Sequence, residues 1–170
     1  MKMTSAYANK MLKQLSDEKD YWINKESSSS VYTAAVGETP VVPDYDYTEV
    51  SATIAMIDHK VTTIKHAINL ANVTSIIKVG EKEYSIDSIL IRMAQLNRRK
   101  IFLDLLRKHQ EKSRNESDFF RGRSANPEYQ YINYDLAEVK EDFEKISHEI
   151  MEMQIALDKY NQTFEFEVEV

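Results

Sequence analysis

Two stretches of the chain repeat apolar residues at alternating steps of three and four positions. The first stripe consists of Tyr47, Val50, Ile54, Ile57, Val61, Ile64, Ile68 and Ala71. The second stripe consists of Leu136, Val139, Phe143, Ile146, Ile150, Met153, Leu157 and Tyr160. This spacing keeps all residues of a stripe on one side of an α-helix. Each stripe therefore predicts an unbroken helix, about 37 Å long at a rise of 1.5 Å per residue.

We predict that residues 1–170 form one helical domain. The positions of Ser, Pro, Gly and β-branched residues divide this domain into helices, loops and strands. We predict helices over about 5–25, 44–72, 85–112 and 135–161, loops over 26–43 and 113–133, a β-hairpin over 74–85 and a strand over 163–170. Ser85 and Asp135 are expected to cap the third and fourth helices, because their side chains accept hydrogen bonds from free backbone N–H groups. The expected fold class is mainly α with a small β element: a long antiparallel helical bundle or coiled coil, plus a hairpin and a C-terminal strand.

The C-terminal residues alternate strictly between apolar and acidic side chains, from Phe164 to Val170. Such alternation is typical of a strand that buries one face. Because a single strand is not stable alone, we expect it to pair with the 74–85 hairpin, or alternatively with another copy of the chain.

Branched side chains fill most positions of the first stripe. They disfavour a simple parallel dimer and favour higher-order packing, such as four helices together. Two interpretations stay open. Either both stripes form the core of one monomer, or one of them also builds a homo-oligomer.

The composition bears on the location of the protein. The chain has 170 residues and no cysteine, so it has no disulfide and no thiolate metal site. Its start, Met1 to Ala6, lacks the apolar core of a secretory signal, and no window approaches the roughly 18 apolar residues of a membrane span. We expect a soluble, cytoplasmic protein without a membrane partner.

The sequence offers few residues in arrangements typical of catalysis. His59, His66 and His148 fall on the outward sides of their predicted helices, without a His-Glu-x-x-His pair or a carboxylate cluster. The three glycines are isolated, which excludes a phosphate-cradling loop. No Ser or Lys lies in a recognised nucleophile context. We predict no metal, no cofactor and no enzymatic activity, with an unrecognised enzyme as a remaining alternative.

Residues 92–123 carry ten Lys or Arg against four Asp or Glu, a local charge of +6, whereas the other residues sum to −12. Lys100 and Arg107 take positions where the inward side of the third helix would otherwise be apolar, and aromatic residues follow closely. Guanidinium groups bind phosphate in a bidentate manner, and aromatic rings stack on bases. The candidate ligand-binding residues are Arg98, Arg99, Arg107, Arg121, Arg123, Tyr129 and Tyr131.

Two interpretations of this basic segment stay open. It lines a pocket for a phosphate-bearing, nucleotide-like small molecule, or its cations pair with the acidic faces of the other helices. Nucleic acid is not expected as a partner, because the net charge of −6 opposes approach to a polyanion.

Five segments together resemble a known family. They are Gly-Glu-Thr-Pro at 37–40, Ala-Ile-Asn-Leu-Ala-Asn-Val-Thr at 67–74, Gly-Glu-Lys-Glu-Tyr-Ser-Ile at 80–86, Ile-Ser-His-Glu-Ile at 146–150 and Leu-Asp-Lys-Tyr-Asn-Gln-Thr at 157–163. With these five segments in this order, the chain resembles the septicolysin-like family of small bacterial proteins. The resemblance implies a helical protein with a small β element and a bacterial or phage origin, and it supplies no catalytic residues. The chain departs from the family in the serine run at 27–30, the basic segment at 112–123 and the acidic tail.

These patterns predict a non-enzymatic protein that oligomerises or binds a partner, with a second copy of itself as the expected partner. The alternative is a binding protein that captures a phosphate-bearing small molecule in a basic and aromatic pocket.

Overall fold

The computed structural model describes residues 1–114 and 128–169. About 65% of the described residues are helical. The helices are α1 (Ser5–Ser29), α2 (Tyr47–Thr74), α3 (Ile86–Leu106) and α4 (Leu136–Thr163). The strands are β1 (Lys2–Thr4), β2 (Ile76–Val79), β3 (Lys82–Ser85), β4 (Lys112–Arg114), β5 (Tyr129–Tyr131) and β6 (Glu165–Glu167). The prediction of a mainly α fold with a small β element is confirmed.

The chain divides into two compact units. Unit 1 comprises residues 1–77 and 157–170, and unit 2 comprises residues 78–156. Because α4 contributes residues to both units, the division does not test whether the chain is one domain. That description stays a prediction.

In unit 1, α1 and α2 lie side by side in antiparallel directions. The Lys19 Nζ atom is 2.6 Å from the Asp58 Oδ1 atom, which joins the middles of the two helices. The Tyr45 hydroxyl, just before α2, donates to the Glu26 Oε1 atom near the end of α1 at 3.1 Å. The chain therefore turns back between the end of α1 and the start of α2.

Short polar side chains fix where the helices begin. The Thr4 Oγ1 atom accepts a hydrogen bond from the Tyr7 N–H and starts α1. The Asp46 Oδ1 atom accepts from two backbone N–H groups and starts α2. Ser85 and Asp135 cap α3 and α4 as predicted, since each side chain accepts from a first-turn N–H group. These bonds satisfy donors that have no partner within the helix.

A two-stranded antiparallel sheet of β1 and β6 covers the core of unit 1. The register pairs Lys2 with Glu167, Met3 with Phe166 and Thr4 with Glu165. The buried core consists of Met3, Ala8, Leu15, Ile57, Ile64 and Val168. The apolar side of the sheet thus closes over the inner sides of α1 and α2.

In unit 2, α3 lies antiparallel to the first part of α4. Near the start of α3, the Arg92 guanidinium binds both carboxylate oxygens of Glu149, at 3.0 and 3.3 Å. At the end of α3, the Arg107 guanidinium lies 4.1 Å from the ring centre of Phe143. The buried apolar residues of unit 2 are Val79, Ile86, Ile89, Leu96, Leu103, Val139 and Met153.

The hairpin predicted over 74–85 is present as β2 and β3. These strands pair with each other, and Gly80 lies in the turn between them with φ of +58°. A side chain is rarely accommodated at that φ, so glycine suits this position.

Both apolar stripes lie on unbroken helices. In the first stripe, Val50, Ile57, Ile64 and Ala71 are buried, while the alternate positions are half-buried and Tyr47 is exposed. In the second stripe every residue is buried or half-buried. The predicted inward sides are therefore correct except at Tyr47, which lies at the first position of α2.

The predicted pairing of the C-terminal strand is wrong. It does not pair with the hairpin, because β6 pairs with β1 while β2 and β3 pair with each other. Lys2 to Thr4 gave no strand signal, since three residues cannot show an alternation.

Three predicted boundaries also need correction. The loop over 26–43 begins later, because the Ser30 N–H still donates to the Glu26 carbonyl and extends α1 to Ser29. The third helix ends at Leu106 rather than near Lys112. The loop over 113–133 contains strand residues, because β4 and β5 pair antiparallel around residues 115–127, which lie outside the described residues.

Candidate functional site

Helix α3 carries apolar side chains on two opposite sides. One side is the buried set in the core of unit 2. On the other side, residues 91, 95, 98, 102 and 105 follow one another at steps of four and three, as in the two stripes, and Ile101 lies next to Phe102. We call this set the outer face of α3. It consists of Ile91, Gln95, Arg98, Ile101, Phe102 and Leu105.

The apolar residues of the outer face are exposed. Ile101 is 67% exposed, Phe102 52% and Leu105 56%. Together with Gln95, Arg98 and Arg99 they line an open groove of about 450 Å³. A helix that is apolar on both sides is normally buried on both sides, and an exposed apolar patch marks a surface for interaction. The outer face of α3 is therefore the candidate functional site.

Two of the predicted ligand-binding residues lie at this groove. Neither Arg98 nor Arg99 forms an ion pair within residues 1–114 and 128–169. The Arg99 guanidinium lies 5.8 Å from the ring centre of Phe102, a cation–π contact. The groove on the outer face thus combines exposed apolar side chains with two cations that form no ion pair within the described residues.

Arg107 is held elsewhere, on the inner side of unit 2. Its Nη2 atom is 2.6 Å from the Asp104 Oδ1 atom, and its guanidinium stacks on the Phe143 ring. Hydrogen bonds from Lys108 and then Arg107 lower the pKa of the Asp104 carboxyl. Lys100 also lies over the Phe143 ring, at 5.4 Å. Arg107 is thus held within the chain, but its carboxylate partner lies on α3 itself and its partner on α4 is an aromatic ring, rather than an acidic face of another helix.

Tyr129 and Tyr131 lie on β5, beside a different cation. The Lys112 Nζ atom on the paired strand β4 is 4.2 Å from the ring centre of Tyr129 and 5.6 Å from that of Tyr131. Tyr131 lines a second groove, with Tyr134 and Lys140. Arg121 and Arg123 lie outside the described residues. Of the five predicted residues that the structure describes, it brings only Arg98 and Arg99 together at one groove.

The sequence reasoning missed the apolar members of the outer face. The steps from Ile91 to Arg98 and Leu105 continue the same heptad spacing as the two stripes. That spacing was a usable signal.

The histidines of the predicted helices are exposed, as their outward positions indicate. The His148 Nε2 atom is 3.5 Å from the Oε1 atom of Glu152, four residues further on the same helix. Over residues 1–114 and 128–169, no three His, Cys, Asp or Glu side chains are close enough to hold a metal ion. In the same part of the chain, every helix is too short or too polar to cross a bilayer.

The fold and the outer face define a small, mainly helical protein in which α3 is apolar on two sides. No protein-family model and no curated protein sequence matches the chain. Its fold is similar to the crystal structure of a functionally unknown conserved protein from Corynebacterium diphtheriae. The TM-score is 0.65 and the sequence identity 14%, over 98% of this chain and 100% of that one. The likeness shows the fold alone, and the resemblance to the septicolysin-like family stays a prediction.

Proposed function

We propose that this protein is a non-enzymatic interaction protein that assembles with copies of itself through the outer face of α3. The observation that carries the proposal is the exposure of Ile101, Phe102 and Leu105 on a helix whose opposite side is already buried. Association would remove these side chains from water, which contributes about 25 cal/mol per Å² of apolar area buried.

The charges of the outer face indicate which surface of a second copy fits. Packing α3 against the same face of another α3 would bring Arg98 and Arg99 near their counterparts, and like charges repel. A fitting partner surface is apolar and acidic. The exposed side of α4 has that character.

This side of α4, its outer face, again follows steps of three and four. It consists of Glu141, Glu144, His148, Met151 and Ile155. Met151 is 51% exposed and Ile155 62% exposed. Seven residues separate Glu144 from Met151, and seven separate Ile91 from Arg98. When the two faces meet, Arg98 can therefore lie opposite Glu144 while Ile91 or Leu105 lies opposite Met151.

Helices that meet in this way would extend the helical pairs of each chain into the bundle or coiled coil that the stripes predict. This contact joins the outer face of α3 in one copy to the outer face of α4 in another. Each copy of such a pair therefore keeps one of its two faces free for a further copy. Such contacts form closed rings or open chains rather than an isolated two-fold pair.

Light scattering after gel filtration, over a range of concentrations, tests the proposal. We expect a mass above the 19.8 kDa of one chain that falls on dilution. The double variant Phe102→Gln and Leu105→Gln should weaken association more than tenfold, because anchors at the centre of an interface contribute most of its energy. Met56→Gln is the matched control, since Met56 is 50% exposed on α2 and lies outside both faces.

A charge exchange tests the identity of the second face. An exposed ion pair contributes about 0.2–1 kcal/mol, so Arg98→Glu should weaken association several-fold. Adding Glu144→Arg should restore it. A single-chain mass at all concentrations would overturn the proposal, and association that Arg98→Glu does not weaken would overturn the partner surface.

A second candidate function rests on Arg98 and Arg99, which lie at the α3 groove without acidic partners among the described residues. The same groove would then hold a phosphate-bearing small molecule. A ligand at a hundredfold excess over its Kd adds about 2.7 kcal/mol of stability. A thermal-shift screen with nucleotides should then raise the melting temperature, and Arg98→Ala should remove the shift while leaving the mass unchanged. No shift with any nucleotide would refute this candidate.

A further inference from the structure

The sheet of unit 1 has an edge that no other described strand occupies. The sheet contains only β1 and β6 within residues 1–114 and 128–169. One edge of β6 is paired with β1, so its other edge offers main-chain groups to a further strand.

The hydrogen-bond pattern identifies those groups. Met1 and Val168 exchange both main-chain hydrogen bonds, at 2.7 and 2.8 Å. In an antiparallel pair, bonded and non-bonded residue pairs alternate along the strands. Phe166 therefore bonds to Met3 in this register, while the N–H and C=O groups of Glu165 and Glu167 point away from β1.

A groove of about 500 Å³ runs along this open edge. Residues 164–169 form one wall of the groove, and residues of α2, including Thr63, His66, Leu70 and Thr74, form the other. Met1, which pairs with Val168, lines one end of the groove, but none of the three residues of β1 does. Along Glu165 to Glu167 the groove therefore lies on the side of β6 that faces away from β1, where the main-chain groups of Glu165 and Glu167 are directed.

The two walls set the character of an occupant. Phe166 and Val168 turn into the core, so Glu165, Glu167 and Glu169 turn outward along the strand and are exposed. On the helix side, Leu70 is 58% exposed. A third strand would place alternate side chains over Leu70 and the others beside the glutamates.

We propose that this groove binds an extended peptide segment in which apolar residues alternate with Lys or Arg, added as a third strand beside β6. The main chain of the peptide bonds to Glu165 and Glu167, its apolar side chains pack on Leu70, and its cations lie beside the glutamates. This is strand addition, in which main-chain bonds give affinity and side chains give selectivity. Another copy of β6 does not fit, because its glutamates would lie beside these glutamates. The proposal uses no residue of the outer face of α3 and goes beyond self-assembly.

The probe is a fluorescein-labelled hexapeptide with blocked ends that alternates lysine with valine, titrated with the full chain and followed by fluorescence anisotropy. We expect saturable binding. A peptide of the same composition with the three lysines together should bind at least tenfold more weakly. A peptide that alternates glutamate with valine should not bind.

Backbone methylation separates strand addition from simple charge attraction. N-methylation of the amides on one edge of the peptide should abolish binding, whereas methylation of the amides on the opposite edge should leave the Kd unchanged. Equal binding of both methylated peptides would overturn the proposal, as would equal binding of the clustered peptide or no binding at all.

Variants of the chain locate the binding. Glu165→Gln with Glu167→Gln should raise the Kd about three- to tenfold, because each exposed pair contributes modestly. Leu70→Asp should also raise it. Asp17→Asn with Glu18→Gln, exposed on α1, is the matched control and should leave it unchanged. All these effects should persist in the Phe102→Gln and Leu105→Gln background, so failure of self-assembly and failure of peptide binding are distinguishable.

Discussion

Substitution of Ile64 by alanine measures how much of the stability comes from the inward positions of α2. Ile64 is 0% exposed and packs in the core of unit 1. The substitution removes three carbons, each contributing about 0.8 kcal/mol when buried, and leaves a cavity behind. Together these give a loss of about 2–5 kcal/mol in the free energy of unfolding. For a chain of this size, 3 kcal/mol lowers the melting temperature by about 6–12 °C.

The same helix supplies two controls. Ile68 has the same side chain at a half-buried position of the same stripe, so Ile68→Ala should cost distinctly less. Met56 is 50% exposed, and Met56→Ala should change the free energy by at most about 0.5 kcal/mol. Urea unfolding followed by circular dichroism gives all three values, at one protein concentration because self-association raises apparent stability. Equal costs for Ile64→Ala and Ile68→Ala would refute the assignment of the inward side of α2.

Three further predictions concern single contacts. Asp46→Ala should cost about 1 kcal/mol in urea unfolding by removing the cap of α2, whereas Asp44→Ala, two residues earlier, should cost little. Tyr160→Phe should lower the free energy of unfolding by about 0.5–1.5 kcal/mol, because the Tyr160 hydroxyl donates a hydrogen bond to the Ser75 Oγ atom at 3.0 Å. An unchanged urea midpoint would contradict this prediction. The hydrogen bond from Lys108 is the main cause of the lowered pKa of Asp104. The stability that this carboxylate contributes to the folded chain is therefore present above about pH 4 and is lost as the pH falls through the lowered pKa. The melting temperature of Asp104→Asn should therefore fall less than that of the unmodified chain between about pH 7 and about pH 3, and parallel curves would contradict this.

The helices could be predicted because their signals are local. A stripe such as Val50, Ile57 and Ile64 repeats along one helix, and its burial follows from period alone. The caps at Ser85 and Asp135 depend on residues within one turn of each other. Local signals also explain the hairpin, whose turn glycine follows the β-branched stretch at 76–79.

The pairing of β1 with β6 could not be predicted in the same way. It joins Lys2 with Glu167 across almost the whole chain, and the strand at the start has only three residues. The alternation of the tail indicated a strand with one buried face but carried no information on its neighbour. Only the packing of Met3 and Val168 into one core decides that neighbour.

Only part of the candidate site could be predicted from the sequence, and the reason is physical. Arg98 and Arg99 were identified by charge, but charge alone does not distinguish a cation at an open groove from one that the chain neutralises. Arg107 has the same charge and is held by Asp104 and the Phe143 ring. Contacts of that kind depend on which helices are neighbours, which one sequence does not give.

Both proposed surfaces carry charge that acts against pairing with an identical surface. Arg98 and Arg99 would repel their counterparts across two α3 helices, and Glu165 and Glu167 would repel theirs across two β6 strands. Each surface also has apolar neighbours, Phe102 in one case and Leu70 in the other, which favour association with a partner of opposite charge. Each surface therefore favours a partner of opposite charge over an identical surface of another copy. Because high salt screens such contacts, association through either surface should weaken as the ionic strength rises, whereas an interface held by apolar burial alone would not.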